Sequence, residues 1–358
     1  MANGNTYDRA AGLILSPLVS LAVATGVATL VVIALGHSPV KVVQTIHDGV
    51  SRSPLGVWMD ISDILYRSTP LILAGLAVAL AFHAGLINIG GQGQFVVGAF
   101  ICALVGERYW AGLSYPLILF AAGGAFFGGV LWAYLPAFMR ARRGAHEVIT
   151  TIMMNFIAIS ATAYMLSVYF HAGGNIPQTA PVIDAVRLPR LGRLFSFVPA
   201  QSPLNVAFFV AIAAVIIVSY LLWRTKFGFE LRAVGSNADA AAAAGIDCAR
   251  TRERVLMLSG GLMGLAAINL VLGTDYAFCQ ENAIDHGLIG FAGIAVALMA
   301  QSHPIAVVPA AVFFGALGRL EFLLKLHTDI PKDIVTILQA VVIMCIIVCN
   351  EIFRRRMK

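Results

Sequence analysis

Runs of about 18 or more largely apolar residues recur from one end of this chain to the other. A run of that length crosses the hydrocarbon of a bilayer as a helix. Inside hydrocarbon every backbone N–H and C=O must find a partner within the protein, so only helices and closed barrels span it. No segment shows the long period-2 alternation of a lipid-facing barrel strand. The fold class is therefore all-α, a polytopic inner-membrane helical bundle. Composition agrees: 59% of the 358 residues are hydrophobic and 12% are charged, where a soluble domain carries about a quarter charged residues.

At about 20 residues per span, the sequence predicts about ten transmembrane helices. They fall near 13–35, 64–86, 94–106, 116–137, 148–170, 203–223, 255–274, 286–302, 305–325 and 334–353. The run at 94–106 is short and reads as a broken or re-entrant segment; that at 286–302 is short too. The tail "MANGNTYDRAAG" precedes an apolar run without a clear small-residue cleavage site, which reads as a retained anchor. The whole chain, 1–358, reads as a single transmembrane domain.

A net charge of +6 could suggest nucleic acid, but in a membrane protein it reflects Lys and Arg in cytoplasmic loops. "RARR" at 140–143, the stretch 224–254 and the tail "RRRMK" fall on one side of a ten-span chain. That side should be cytoplasmic, with both termini inside and the protein multi-pass in a bacterial inner (plasma) membrane. The Pro- and Gly-rich segment 172–202 then becomes a periplasmic loop, its Arg187, Arg190 and Arg193 set against the charge rule. The five cysteines lie in or beside apolar segments without CxxC spacing and read as inert thiols. Gly124 and Gly128, and Gly260 and Gly264, are spaced for close helix approach.

Three polar stretches interrupt the apolar pattern. In "NIGGQGQFVVG", 88–98, glycines are poor helix formers, and Asn88, Gln92 and Gln94 can bond freed backbone or a passing polar solute. The stretch reads either as a helix break beside a translocation path or as a loop joining two spans at the inner surface. In "RRGAHEVITTIMMNFIA", Glu147, Thr151 and Asn155 recur at i, i+4, i+8 on one helix face. Such a stripe should face the bundle interior or a cavity; Glu147 can also cap its helix or pair with Arg143. The third is the longest predicted cytoplasmic loop, 224–254. There Asn237 can cap a short helix, Asp239 sits in its first turn and Gly245 can end it. Its body is nearly pure Ala, a smooth surface fit for a groove on a partner, or else a solvated linker.

Several chemistries find no support. "LSGG" at 258–261 matches a signature of ATP-binding cassette ATPases, but it opens an apolar span and no G-x-x-x-x-G-K-[ST] loop exists in the chain. H-E-x-x-H and G-x-S-x-G are also absent. No catalytic residue and no metal site is predicted, and the chain is not expected to be an enzyme. Arg319 and Glu321 are the charges set deepest in a predicted span; they could line a path or reach the interface.

"GLAVALAFHAGLINIGGQGQFVVGAF" resembles a signature of permease subunits of ABC importers, in the branch serving branched-chain amino acids, ribose-type sugars and nucleosides. Ile87 stands where that signature has Phe, and Gln92 where it has an acidic residue. "GAHEVITTIMMNFIA" is similar to a second motif, with His146 in place of Asn. "FGFELRAVGSNADAAAAAGID" resembles the cytoplasmic loop that docks on the ATPase, and "NIPQTAPVIDAVRLPRL" resembles the nucleoside or simple-sugar subgroup. The resemblance runs from about 65 to 347.

The resemblance implies a transmembrane permease subunit of an ATP-driven importer. It would pair with a second permease, identical or related, beside a substrate path that includes Asn88, Gln92, Gln94, Glu147, Thr151 and Asn155. ABC ATPase subunits would dock around Gly235, Asn237, Asp239, Ala241, Ala242 and Gly245. A periplasmic or lipoprotein substrate-binding protein would deliver a small polar solute, nucleoside or else simple sugar. The chain itself would hold no cofactor; ATP and Mg would sit on the ATPase. The alternative, an ion-coupled secondary transporter, needs membrane-embedded acids or histidines, which the predicted spans nearly lack.

Overall fold

The computed structural model describes residues 54–107, 116–195 and 198–327, with isolated positions elsewhere. The predicted spans 13–35 and 334–353 lie outside this set. The described residues are helical, with short 3-10 turns, two π-helical turns and two isolated antiparallel bridges. In chain order the helices are α1 (Pro54–His83), α2 (Gly91–Gly106), α3 (Pro116–Arg143), α4 (Glu147–Met165), α5 (Ala207–Arg224) and α6 (Lys226–Ser236). They continue with α7 (Ala238–Ala243), α8 (Cys248–Ala266), α9 (Gln280–Gly287), α10 (Ile289–Met299) and α11 (Val307–His327).

Six segments among the described residues are long and apolar enough to cross a membrane: Gly56–His83, Leu117–Arg143, Glu147–Phe170, Ala207–Arg224, Cys248–Asp275 and Gln280–Met299. Six spans support a multi-pass helical bundle without reaching the predicted count of about ten. Two boundaries differ from the expectation. α1 begins at Pro54 rather than near 64, because its first turns carry Asp60, Asp63 and Arg67 and fall outside a purely apolar window. The segment expected at 286–302 begins at Gln280, as the pair α9 and α10.

The chain divides into two compact units, one of 1–60 and 316–358, the other of 61–315. In the first, Arg319 Nε donates to Asp60 Oδ1 at 2.8 Å and the guanidinium lies 5.2 Å from the Phe322 ring. The deepest predicted charge is thus half of an ion pair, a common resolution for charge within a span.

The second unit is layered. Of the segment Cys248–Asp275, 83% of the most apolar window is buried, against 28% for Glu147–Phe170. The first is an inner helix, the second an outer one. α2 is buried on nearly every side, which is why its apolar residues show no amphipathic stripe. Glycines let α2, α3 and α8 touch through backbone. A Cβ at Gly98 would press on Gly264 Cα at 2.6 Å, and one at Gly129 would overlap the Gly260 carbonyl oxygen. Pro70 inside α1 offers no N–H to the carbonyl of Tyr66. The Nδ2 of Asn269 serves that carbonyl instead, at 3.4 Å, while Asn205 Nδ2 donates to Asn269 Oδ1 at 3.1 Å. The 172–202 segment holds no long helix. Its backbone is stitched to the π-helical turn Val271–Asp275 that follows α8, with Val182 N on Tyr276 O at 2.7 Å and Leu188 N on Leu272 O at 2.8 Å.

Candidate functional site

α1 ends at His83, residues 84–90 are non-helical, and α2 starts at Gly91. The helix N-terminus this creates has orphan backbone N–H groups, and it is buried. Asn88 answers them. Its Oδ1 accepts from Gly90 N at 3.0 Å and from Gln94 Nε2 at 3.1 Å, and its Nδ2 donates to Gln94 Oε1 and Ser259 Oγ, both at 2.9 Å. Ser259 in turn donates to the Ala77 carbonyl at 2.7 Å. A primary amide has two donor hydrogens and an oxygen with two lone pairs. Asn88, with 0% of its surface exposed, has filled all four.

Asn155 closes the other side. Its Oδ1 accepts from Gly93 N at 2.8 Å and its Nδ2 donates to Ile89 O at 2.9 Å. Glu147, Thr151 and Asn155 do lie on one face of α4, all buried, with Ala158 and Thr162 continuing the stripe. Thr151 Oγ1 donates to its own helix at the Glu147 carbonyl, 2.7 Å away. Glu147 pairs with Arg140 at 3.1 Å rather than with the expected Arg143. The reason is the turn at Gly144, whose φ of +65° reverses the chain and lays Glu147 beside the last full turn of α3.

Gln92 differs from the other amides. Its Nε2 reaches the Ile284 carbonyl on α9 at 3.4 Å, and a Cβ on Gly287 would meet its Cγ at 2.8 Å. α9 itself was missed by the sequence reading, which began this span at 286. It leaves the 172–202 loop at the bridge between Gln178 and Cys279 and packs along α2 and α4, where Gln280 Nε2 donates to Ile159 O at 3.0 Å. Ala283 and Gly287 face inward, while Glu281, Asn282 and Asp285 are exposed and His286 is half-buried. Asn282 Nδ2 donates to Asp275 Oδ2 at 2.7 Å, and Tyr66 OH to Thr274 Oγ1 at 3.2 Å. The signal was present as "ENAIDH", polar residues at 281, 282, 285 and 286 on one side of a helical turn.

The short helix α7 is finished at both ends by local chemistry. Asn237 Oδ1 accepts from Asp239 N and Ala240 N, each at 3.0 Å. At the other end Gly245, with φ of +83°, donates to Ala242 O at 2.9 Å and Ile246 N to Ala241 O at 3.0 Å. This is the paired pattern of a left-handed helix stop. Asp239 and Ala242 are exposed; Ala241 is buried and fastens the helix to the protein. Gly235 packs against the end of α1, where a Cβ would overlap the His83 carbonyl oxygen. Arg140 and Arg142 end α3, Arg224 ends α5, and Arg250 opens α8. No group of three or more His, Cys, Asp or Glu suited to a metal ion occurs among the described residues.

Comparison with known proteins places this arrangement. Residues 60–347 match the family described as branched-chain amino acid transport system, permease component. The glucose ABC transporter permease protein TsgB13 of Haloferax volcanii is 32% identical over 95% of this chain and 88% of its own length. The guanosine ABC transporter permease protein NupP of Bacillus subtilis is 32% identical over 92% of each chain. The nucleoside ABC transporter permease protein NupB of Lactococcus lactis is 31% identical over 94% of this chain and 91% of its own.

Proposed function

We propose a transport role for this chain, which belongs to the family of branched-chain amino acid transport system permease components. It is the permease subunit of an ABC importer that moves a nucleoside or a simple sugar. The observation that carries this reading is similarity along nearly the full length to guanosine, nucleoside and glucose permeases. Between the two solutes we favour the nucleoside, because two of those three relatives are named for nucleosides.

The solute would pass along the polar side of α9. Glu281 and Asp285 are exposed in the first two turns of a segment apolar enough to span, where their carboxylates call for water or a polar partner subunit. Asn88, Gln94 and Asn155 would hold the break in shape, and Gln92 would connect it to α9. A second permease, identical or related, would complete the path. ATPase subunits would grip the exposed side of α7, fixed by Asn237 and Gly245, and a substrate-binding protein would deliver the solute from the opposite side. The termini would then be cytoplasmic.

The test is uptake in the native host with this gene deleted. Labelled guanosine and glucose are followed with and without an ionophore that collapses ion gradients. Deletion should abolish guanosine entry, and the ionophore should leave wild-type entry intact as long as ATP is maintained. Loss of glucose entry alone would replace the substrate. Loss of entry on adding ionophore at constant ATP would replace the mechanism with the ion-coupled one.

A further inference from the structure

The corner between α5 and α6 lies apart from the polar side of α9 and carries a feature of its own. Thr225 leaves the helix with extended backbone, donates to Leu221 O at 2.6 Å and accepts from Gly228 N at 3.0 Å. A Cβ on Gly228 would overlap the carbonyl oxygens of Leu221 and Leu222, so the corner is tight. It fixes Arg224 at the end of one helix and Lys226 at the start of the next.

Below the corner, the side of α5 forms a groove of about 320 Å³ with Ile305, running past Ile216, Ser219, Tyr220 and Trp223 to Arg224. Ile216 and Tyr220 are 65% and 63% exposed, which for a membrane-crossing segment means contact with what surrounds it, and Ile305 beside them is 60% exposed. The Trp223 indole is held from several directions. The Arg232 guanidinium lies 4.4 Å over its ring, His303 stacks at 6.2 Å and His83 meets it edge-on at 6.0 Å. Arg224 has no carboxylate partner among the described residues, and Lys226 approaches only Glu230, at 3.8 Å and 91% exposed.

We propose that this groove binds one anionic phospholipid, its acyl chain against Ile216 and Tyr220 and its phosphate at Arg224. The charge balance argues for that occupant. Of Arg224, Lys226 and Arg232, only Lys226 has a carboxylate within 4.0 Å among the described residues, Glu230, and a headgroup of net negative charge offsets the excess where a zwitterionic one does not. An aromatic ring at the end of a span is also the usual neighbour of the headgroup layer.

The test uses the full chain purified in mild detergent and returned to nanodiscs of phosphatidylcholine with a minor share of phosphatidylglycerol. After gentle delipidation, retained lipid is identified by native mass spectrometry. The wild type should keep one phosphatidylglycerol. Arg224→Gln should reduce that retention about five-fold, the loss expected of one basic contact at an anionic surface. Ser219→Trp, which fills the groove, should remove it. Arg224→Lys should retain most binding, and Arg193→Gln, in the distant loop, all of it. Retention of the two lipids in proportion to their content, or equal retention by wild type and Arg224→Gln, overturns the proposal. So does efficient cross-linking of Ile216→Cys to a second copy in native membranes, since the groove would then be a subunit interface.

Discussion

Two polar regions sit within the spans of this protein, and they use the same side chains to opposite ends. Around Asn88 the amides are buried and bonded to one another, to Ser259 and to backbone. On α9 Glu281, Asn282 and Asp285 stand exposed, with the Asn282 side chain bonded to Asp275. The first region is closed and stabilises a helix start that hydrocarbon would otherwise forbid. The second is open and leaves hydrogen-bonding capacity for water or solute. Polarity at membrane depth therefore does not mark a path by itself; what distinguishes the two is whether the protein has already used the donors and acceptors.

The largest expected effect breaks the closed side from behind. A Cβ on Gly260 would overlap Ala133 Cβ and lie 2.6 Å from the Gly129 carbonyl oxygen, with Gln94 Cδ at 3.3 Å. Gly260→Ala should leave little folded protein in the membrane, read by fluorescence-detected size exclusion; near-normal yield would mean the seam can open. Next is Asn88→Ala, which strands Gly90 N, the Gln94 amide and Ser259. Each unsatisfied buried group costs about 1–3 kcal/mol, so the melting temperature in detergent should fall sharply and uptake should fall with the amount of protein. A normal melting temperature with lost uptake would move Asn88 to the open class.

The open side should respond in the reverse manner. Glu281→Gln with Asp285→Asn should leave stability within about 0.5 kcal/mol, as for surface changes away from packed features. Uptake per molecule should change several-fold, read as a shift in KM or maximal rate. If melting shifts while uptake per molecule holds, α9 belongs with the structural group. The smallest effect is Asn237→Ala, where losing the cap costs about 1 kcal/mol of helix stability. It should reduce ATPase co-purification more than it lowers the melting temperature; unchanged co-purification would remove α7 from the docking surface.

How much of this could be read in advance depended on distance along the chain. The ends of α7 were legible because Asn237 and Gly245 act on residues within five positions of themselves. The shared face of Glu147, Thr151 and Asn155 followed from helical period alone. The partner of Glu147 did not, since Gly144 reverses the chain and chooses Arg140 over a nearer arginine. Nor did the closure of the amides, because Ser259 lies 171 residues from Asn88. α9 escaped for a different reason. A window that seeks uninterrupted apolar residues rejects a span whose first half is polar on one side.

The glycine seam has a mechanical meaning. Where α2, α3 and α8 meet backbone to backbone at Gly98, Gly129, Gly260 and Gly264, there is no cushion of side chains to shear or repack. Three helices so joined behave as one stiff lever. A push at the basic end of that lever would move the three helices together rather than slide one past another.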